Sequence, residues 1–255
     1  MQIEDFQFNE KCWAFLKKLE SDYGKKIQIE LVELKDEEHG NAKSENCIPL
    51  IKINKENKFE DKEFNIIVII HEAFHLRMLF DGMPLIGYSP SSRYHAKFDK
   101  QYFEWFNTRF WDKVTHHYFF PKIKNELDLN PYSITKELVI DILNGNKLIP
   151  DDISELGLVG YLFQTWIEVD DKSYFDGLEE LIQRKYNSIG IDKGEYIIKI
   201  MQANPLTNFD TCLVVFEKIF NYLHKEDKIC INIPRIFNTK HNDIVKHAFS
   251  IIDYV

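Results

Sequence analysis

Phe64-Asn65-Ile66-Ile67-Val68-Ile69-Ile70-His71-Glu72-Ala73-Phe74-His75-Leu76-Arg77-Met78-Leu79 is the most apolar run of the chain, and it carries His-Glu-x-x-His. On a helix, positions four apart lie about 40° apart in projection, so His71 and His75 project from one face and can grip one metal ion. Zinc accepts neutral imidazole nitrogen at about 2.0–2.1 Å and prefers four ligands, one of which a catalytic site leaves to water. Glu72 follows the first histidine on the adjoining face, where its carboxylate can reach such a water without binding the metal. Zinc lowers the pKa of bound water from about 15.7 toward roughly 7, which brings its proton within reach of a carboxylate. The bland alternative is a satisfied core pair. Against it, an unpaired His or Glu costs several kcal/mol to bury, and three ionisable groups in one apolar run need a shared reason. The β-branched residues Ile66 to Ile70 prefer a strand, but the histidine spacing makes sense only on a buried helix.

The bulk properties bound what surrounds this motif. A chain of 255 residues, 44% hydrophobic and 14% aromatic, is long and apolar enough to form a packed core in one large or two smaller domains. Its formal charge of −9 repels a phosphate backbone, and the Lys17-Lys18 and Lys25-Lys26 pairs are too short to make a basic patch. Nucleic acid is therefore not an expected partner. Cys12, Cys47, Cys212 and Cys230 stand singly, without Cys-x-x-Cys spacing, and read as reduced core thiols. The N-terminus lacks a basic region followed by an apolar one, and no apolar run approaches the roughly 18–20 residues that span a bilayer. The expectation is a cytoplasmic protein without a membrane partner, with secretion by a signal-less route as the alternative.

Apolar positions at helical spacing predict a first helix from Asn9 to about Tyr23, ended by Gly24. Ile27 to Leu34 alternates as a strand, a polar loop follows, and Ile48 to Asn54 reads as a second strand. Pro49 suggests an edge position for that strand, from which free backbone groups could pair with an extended peptide. Beyond the motif, Asp81 to Ser89 is turn and loop chemistry. Ser89-Pro90 starts a further helix reaching at least Asn107, with Tyr94, Phe98, Tyr102, Trp105 and Phe106 as its apolar stripe.

A catalytic zinc takes three protein ligands, and the motif supplies two. The candidates for the third are His95, Asp99, Glu104, His116 and His117. At 100° per residue, His95 and Asp99 share a face and Glu104 lies about 180° from His95. On a straight helix His116 and His117 would be roughly 30 Å further along, so they read as surface or helix-end histidines. The reading favours His95 as ligand, with Asp99 accepting a hydrogen bond that fixes the tautomer of a ligand histidine. The alternative exchanges them, with Asp99 on the metal and His95 as a transition-state donor.

The order helix, strand, strand, His-Glu-x-x-His helix, then His95-Ala96-Lys97-Phe98 resembles the SprT-like and related minimal zincin metallopeptidases over about residues 9 to 120. The resemblance implies zinc held by His71, His75 and His95, with Glu72 as catalytic base and a protein or peptide as substrate. The chain departs from that family in having Ala96 where a glycine is usual, and in lacking a C-terminal cysteine zinc ribbon. With its acidic charge, no role on DNA is expected.

After Pro121 the composition shifts, and Lys122 to Ser133 is polar with a break at Asn130-Pro131. Segments 134–143, 152–169, 174–186, 194–203, 210–224 and 241–254 then read as helices. The expectation is an α+β chain, with a zincin-like metallopeptidase domain holding a small sheet over residues 1–121 and a mainly α-helical domain over 122–255. That second domain is a candidate surface for a regulator or partner protein. The functional expectation is a zinc metallopeptidase with Glu72 as general base and Tyr94 as a candidate to steady the oxyanion. Two alternatives stand beside it: a secreted effector or toxin-type metallohydrolase, and a non-catalytic helical binding module with a structural or vestigial metal site.

Overall fold

A computed structural model describes residues 1–34, 39–45, 48–55, 62–83, 85–88, 100–225, 229–232 and 246–253. The chain is α+β and mostly helical. Its described residues fall into two compact units, one within Met1–Pro84 and Pro121–Pro131, the other within Leu85–Phe120, Tyr132–Ile236 and Lys246–Val255.

In the first unit, α1 (Glu10–Tyr23) begins where the Asn9 side chain accepts a hydrogen bond from the Cys12 N–H at 2.8 Å. This satisfies one of the donors that a helix start leaves open. The helix ends at Gly24, whose φ of +63° is the left-handed conformation a glycine adopts without steric cost. Strands β1 (Gln28–Val32), β2 (Gly40–Glu45) and β3 (Ile48–Asn54) form a sheet in the order β1-β3-β2. The Ile48 to Asn54 strand is thus central, not at the edge. Pro49 fits there because the parallel ladder with β1 begins only at Leu50, so on that side no N–H is missed. The edges are β1 and β2, the latter antiparallel to β3 and in a stretch the sequence marks as polar loop. Its residues Gly-Asn-Ala-Lys-Ser-Glu carry no apolar alternation, and pairing to β3 rather than propensity makes it a strand.

Helix α2 (Lys62–Phe80) packs on β2 and β3, and α1 packs on α2. Ile66 to Ile70 are helical despite being β-branched, and Ile67, Val68, Ile69, Ile70, Ala73 and Leu76 are all buried. The competing magnitudes explain this. A β-branched residue loses up to about 0.7 kcal/mol in a helix, whereas burying its side chain returns about 1.5–3 kcal/mol. The C-terminal end of α2 is tied to α1. Arg77 grips Asp81 through Nε and Nη2 at 2.8 and 2.7 Å and also pairs with Asp22, while the Tyr23 hydroxyl donates to the Leu76 carbonyl at 2.9 Å.

The second unit contains α3 (Lys100–Phe106), a π-helical turn (Asn107–Trp111) and the start of α4 (Asp112–Leu127), which run on as one continuous helix. Helices α5 (Ser133–Leu143), α6 (Glu155–Glu168), α7 (Lys172–Tyr186), α8 (Ile191–Ala203) and α9 (Phe209–Leu223) follow. A core of Ile142, Leu158, Leu162, Leu178, Ile182 and Ile191 joins α5 to α8. Phe106 stacks on Phe110 at 4.4 Å and meets Phe220 of α9 at 5.1 Å. Strands β4 (Leu85–Tyr88), β5 (Ile229–Asn232) and β6 (Lys246–Asp253) form a sheet in the order β4-β6-β5. Residues 85–88 are therefore strand and not loop, and 246–253 are strand and not helix. The central position of β6 explains the second difference, since parallel pairing to β4 and antiparallel pairing to β5 satisfy its backbone from both sides. Residues 241–245 lie outside the described residues. Among the described residues no helix is long and apolar enough to cross a membrane.

Candidate metal centre

His71, Glu72 and His75 sit in the third and fourth turns of α2, behind the buried isoleucine run. The helical spacing brings the two imidazoles together, with Nε2 atoms 3.2 Å apart and ring centroids 4.9 Å apart. Two nitrogens bound to one tetrahedral ion at about 2.0–2.1 Å stand about 3.3–3.4 Å from each other. The pair thus already has the separation of two zinc ligands. Glu72 is buried at 7% exposure, and its Oε1 lies 4.0 Å from His71 Nε2.

His116 belongs to the middle of α4 and is buried at 6% exposure, so it is neither a surface nor a helix-end histidine. The reading from sequence measured its position along a straight helix from His95. The helix runs on through the π turn at Asn107–Trp111 into α4, so His116 lies in its interior and is packed into the core, not at its end. A signal for burial was present in the residues themselves. His116 precedes Phe119 and Phe120 by three and four positions, the spacing of one helix face, and its ring stacks on Phe120 at 4.9 Å. His117 is half-buried mid-helix and stacks on Trp166 at 5.2 Å, and burial lowers its pKa from the ordinary 6.5. Glu104 is exposed on α3. His95, Asp99 and Tyr94 lie outside the described residues.

The Nδ1 of His116 is hydrogen-bonded to Glu168 Oε1. Lys113 Nζ reaches the same oxygen at 2.8 Å, and Thr135 Oγ1 and Gln164 Nε2 donate to Oε2 at 2.6 and 2.9 Å. Burial would raise the pKa of Glu168, but the charges of Lys113 and His116 outweigh it and hold the carboxyl well below its usual range. Since an ionised carboxylate only accepts, the Nδ1 of His116 carries the proton of that hydrogen bond.

Two imidazoles side by side are donors that suit zinc, copper, nickel or iron, and a carboxylate beside them suits proton transfer. The second unit holds a cavity of about 560 Å³ bordered by Trp166, Lys172, Phe175 and Lys199, which His116 does not line. Compared with family models, curated proteins and solved structures, the chain matches none.

Proposed function

We propose that the chain is a zinc-dependent hydrolase that cleaves peptide bonds, with His71 and His75 holding the ion and Glu72 as general base. The observation that carries this reading is the pair of imidazole nitrogens 3.2 Å apart on α2, with a buried carboxylate beside the first of them. A bound zinc supplies Lewis acidity, polarising the scissile carbonyl and lowering the pKa of water toward roughly 7. The proton work belongs to Glu72. Its carboxylate takes the proton of the attacking water and delivers it to the leaving nitrogen, a role typically worth about 10²–10⁴ in rate.

Two features favour a peptide as substrate. One is the resemblance of the helix, strand, strand and His-Glu-x-x-His order to the minimal zincins. The other is β2, the edge strand that packs on α2 and pairs on only one side among the described residues. An extended peptide laid along that edge gains backbone hydrogen bonds close to Glu72.

The test is metal analysis of the purified chain beside peptide cleavage. Wild type is expected to hold about one zinc per chain, His71→Ala to lose it, and Glu72→Gln to keep it while turnover falls at least about a hundredfold. Zinc bound as well by His71→Ala as by wild type would overturn the proposal.

A further inference from the structure

The cavity of about 560 Å³ in the second unit is walled by α6, α7 and α8, and by the turn that joins the first two. Its apolar lining includes Trp166, Phe175 and Ile198. Trp166 is half-buried and backed by the His117 ring, with centroids 5.2 Å apart and an interplanar angle of 27°. Burial lowers the pKa of His117 from the ordinary 6.5, so the backing ring is neutral at pH 7. Phe175 packs against the core that joins α5 to α8, and Ile198 is buried. The indole is thereby held in place, and a fixed aromatic side chain along a cavity is a platform on which a second ring can stack.

The charged lining carries both signs, with Lys172 and Lys199 against Asp170 and Glu195. Each lysine pairs one helical turn away, Lys172 with Asp176 and Lys199 with Glu195, at 3.4 Å between exposed side chains. Pairs of this kind are worth little, so a ligand can exchange them at small cost. A ligand of one sign would meet two like charges as well as two opposite ones, whereas a ligand of both signs is matched by all four. We propose that this cavity binds an aromatic α-amino acid, with its ring on Trp166 and Phe175, its carboxylate toward Lys172 and Lys199, and its ammonium toward Asp170 and Glu195. The volume falls within the roughly 300–1,000 Å³ of small-molecule sites. None of these residues takes part in the metal chemistry proposed above.

The test is titration of the ¹⁵N-labelled full chain with L-tryptophan, tryptamine and indole-3-acetate, which share a ring and carry both charges, the positive one and the negative one respectively. The indole N–H signal of Trp166, assigned by comparison with Trp166→Phe, should move with L-tryptophan at a dissociation constant of about 1 mM or below, as expected for a ligand of this size. Tryptamine and indole-3-acetate should each bind at least about tenfold more weakly. The exposed rim charges supply a second readout. Glu195→Gln should shift the ratio of the two affinities about tenfold toward indole-3-acetate, and Lys199→Gln about tenfold toward tryptamine. A Trp166 signal that L-tryptophan leaves unmoved would overturn the proposal. Equal affinity for the three compounds, or a ratio unchanged in both rim variants, would overturn it as well, since the cavity would then take up any flat ring without reading its charges.

Discussion

Gly40 on β2 and Glu72 on α2 are packed so closely that a β-carbon on the glycine would stand 2.8 Å from Glu72 Cγ and 2.9 Å from its Oε1. Val68 Cγ1 would be as near, at 2.8 Å. The glycine thus leaves the space that the proposed base occupies. Gly40→Ala is expected to cost about 1–3 kcal/mol through overpacking and to lower kcat by pushing Glu72 aside. Its zinc content should be unaffected. Thermal melting and peptide turnover on zinc-loaded protein check this, and a variant with wild-type kcat would show that β2 does not set the position of Glu72.

Cys12 is fully buried, its Sγ 3.7 Å from the Leu127 carbonyl, and burial raises its thiol pKa to about 11. Cys212 is buried as well. In a Cys47→Ser, Cys230→Ser background, neither remaining thiol should react with a thiolate-selective reagent at pH 8 while the protein is folded. Both should react fully in denaturant.

Glu4 accepts from Lys17 at 2.7 Å and Lys26 at 3.0 Å, which lower its pKa from the ordinary 4.5 to about 2. The folded chain keeps this charge at pH values where the unfolded chain has already taken up a proton. The contribution is therefore complete above about pH 4.5 and is lost as the pH falls toward 2. Urea midpoints measured across that window should fall less steeply in Glu4→Gln than in wild type. Because the group is exposed, the difference should also shrink in high salt.

The Tyr23 hydroxyl closes α1 onto the last turn of α2 through the Leu76 carbonyl. Tyr23→Phe keeps the ring beside Phe80, with centroids 5.1 Å apart in wild type, and removes only the hydrogen bond. A loss of about 1 kcal/mol in chemical denaturation is expected. No change in stability would show that water replaces the hydroxyl without cost.

Much of the first unit was legible because its signals are local. Asn9 and Gly24 mark the ends of α1, and the four-residue step between His71 and His75 outweighed the strand preference of Ile66 to Ile70. What escaped depends on partners distant in the chain. The polar residues 40–45 become a strand by pairing with β3, and 246–253 by lying between β4 and β5. The burial of His116 escaped because the helix does not end near it and because its hydrogen-bond partner Glu168 lies on another helix. Glu168 lies 52 positions beyond His116, and no spacing rule links them.

The shared carboxylate also bears on how far the chain can be shortened. Trimming after residue 121 would discard Glu168 along with Thr135 and Gln164. Lys113 would then lose the carboxylate it pairs with, and His116 the acceptor of its Nδ1, so two buried polar groups would each lose a partner. The shortest piece that keeps this cluster whole must therefore extend through the end of α6.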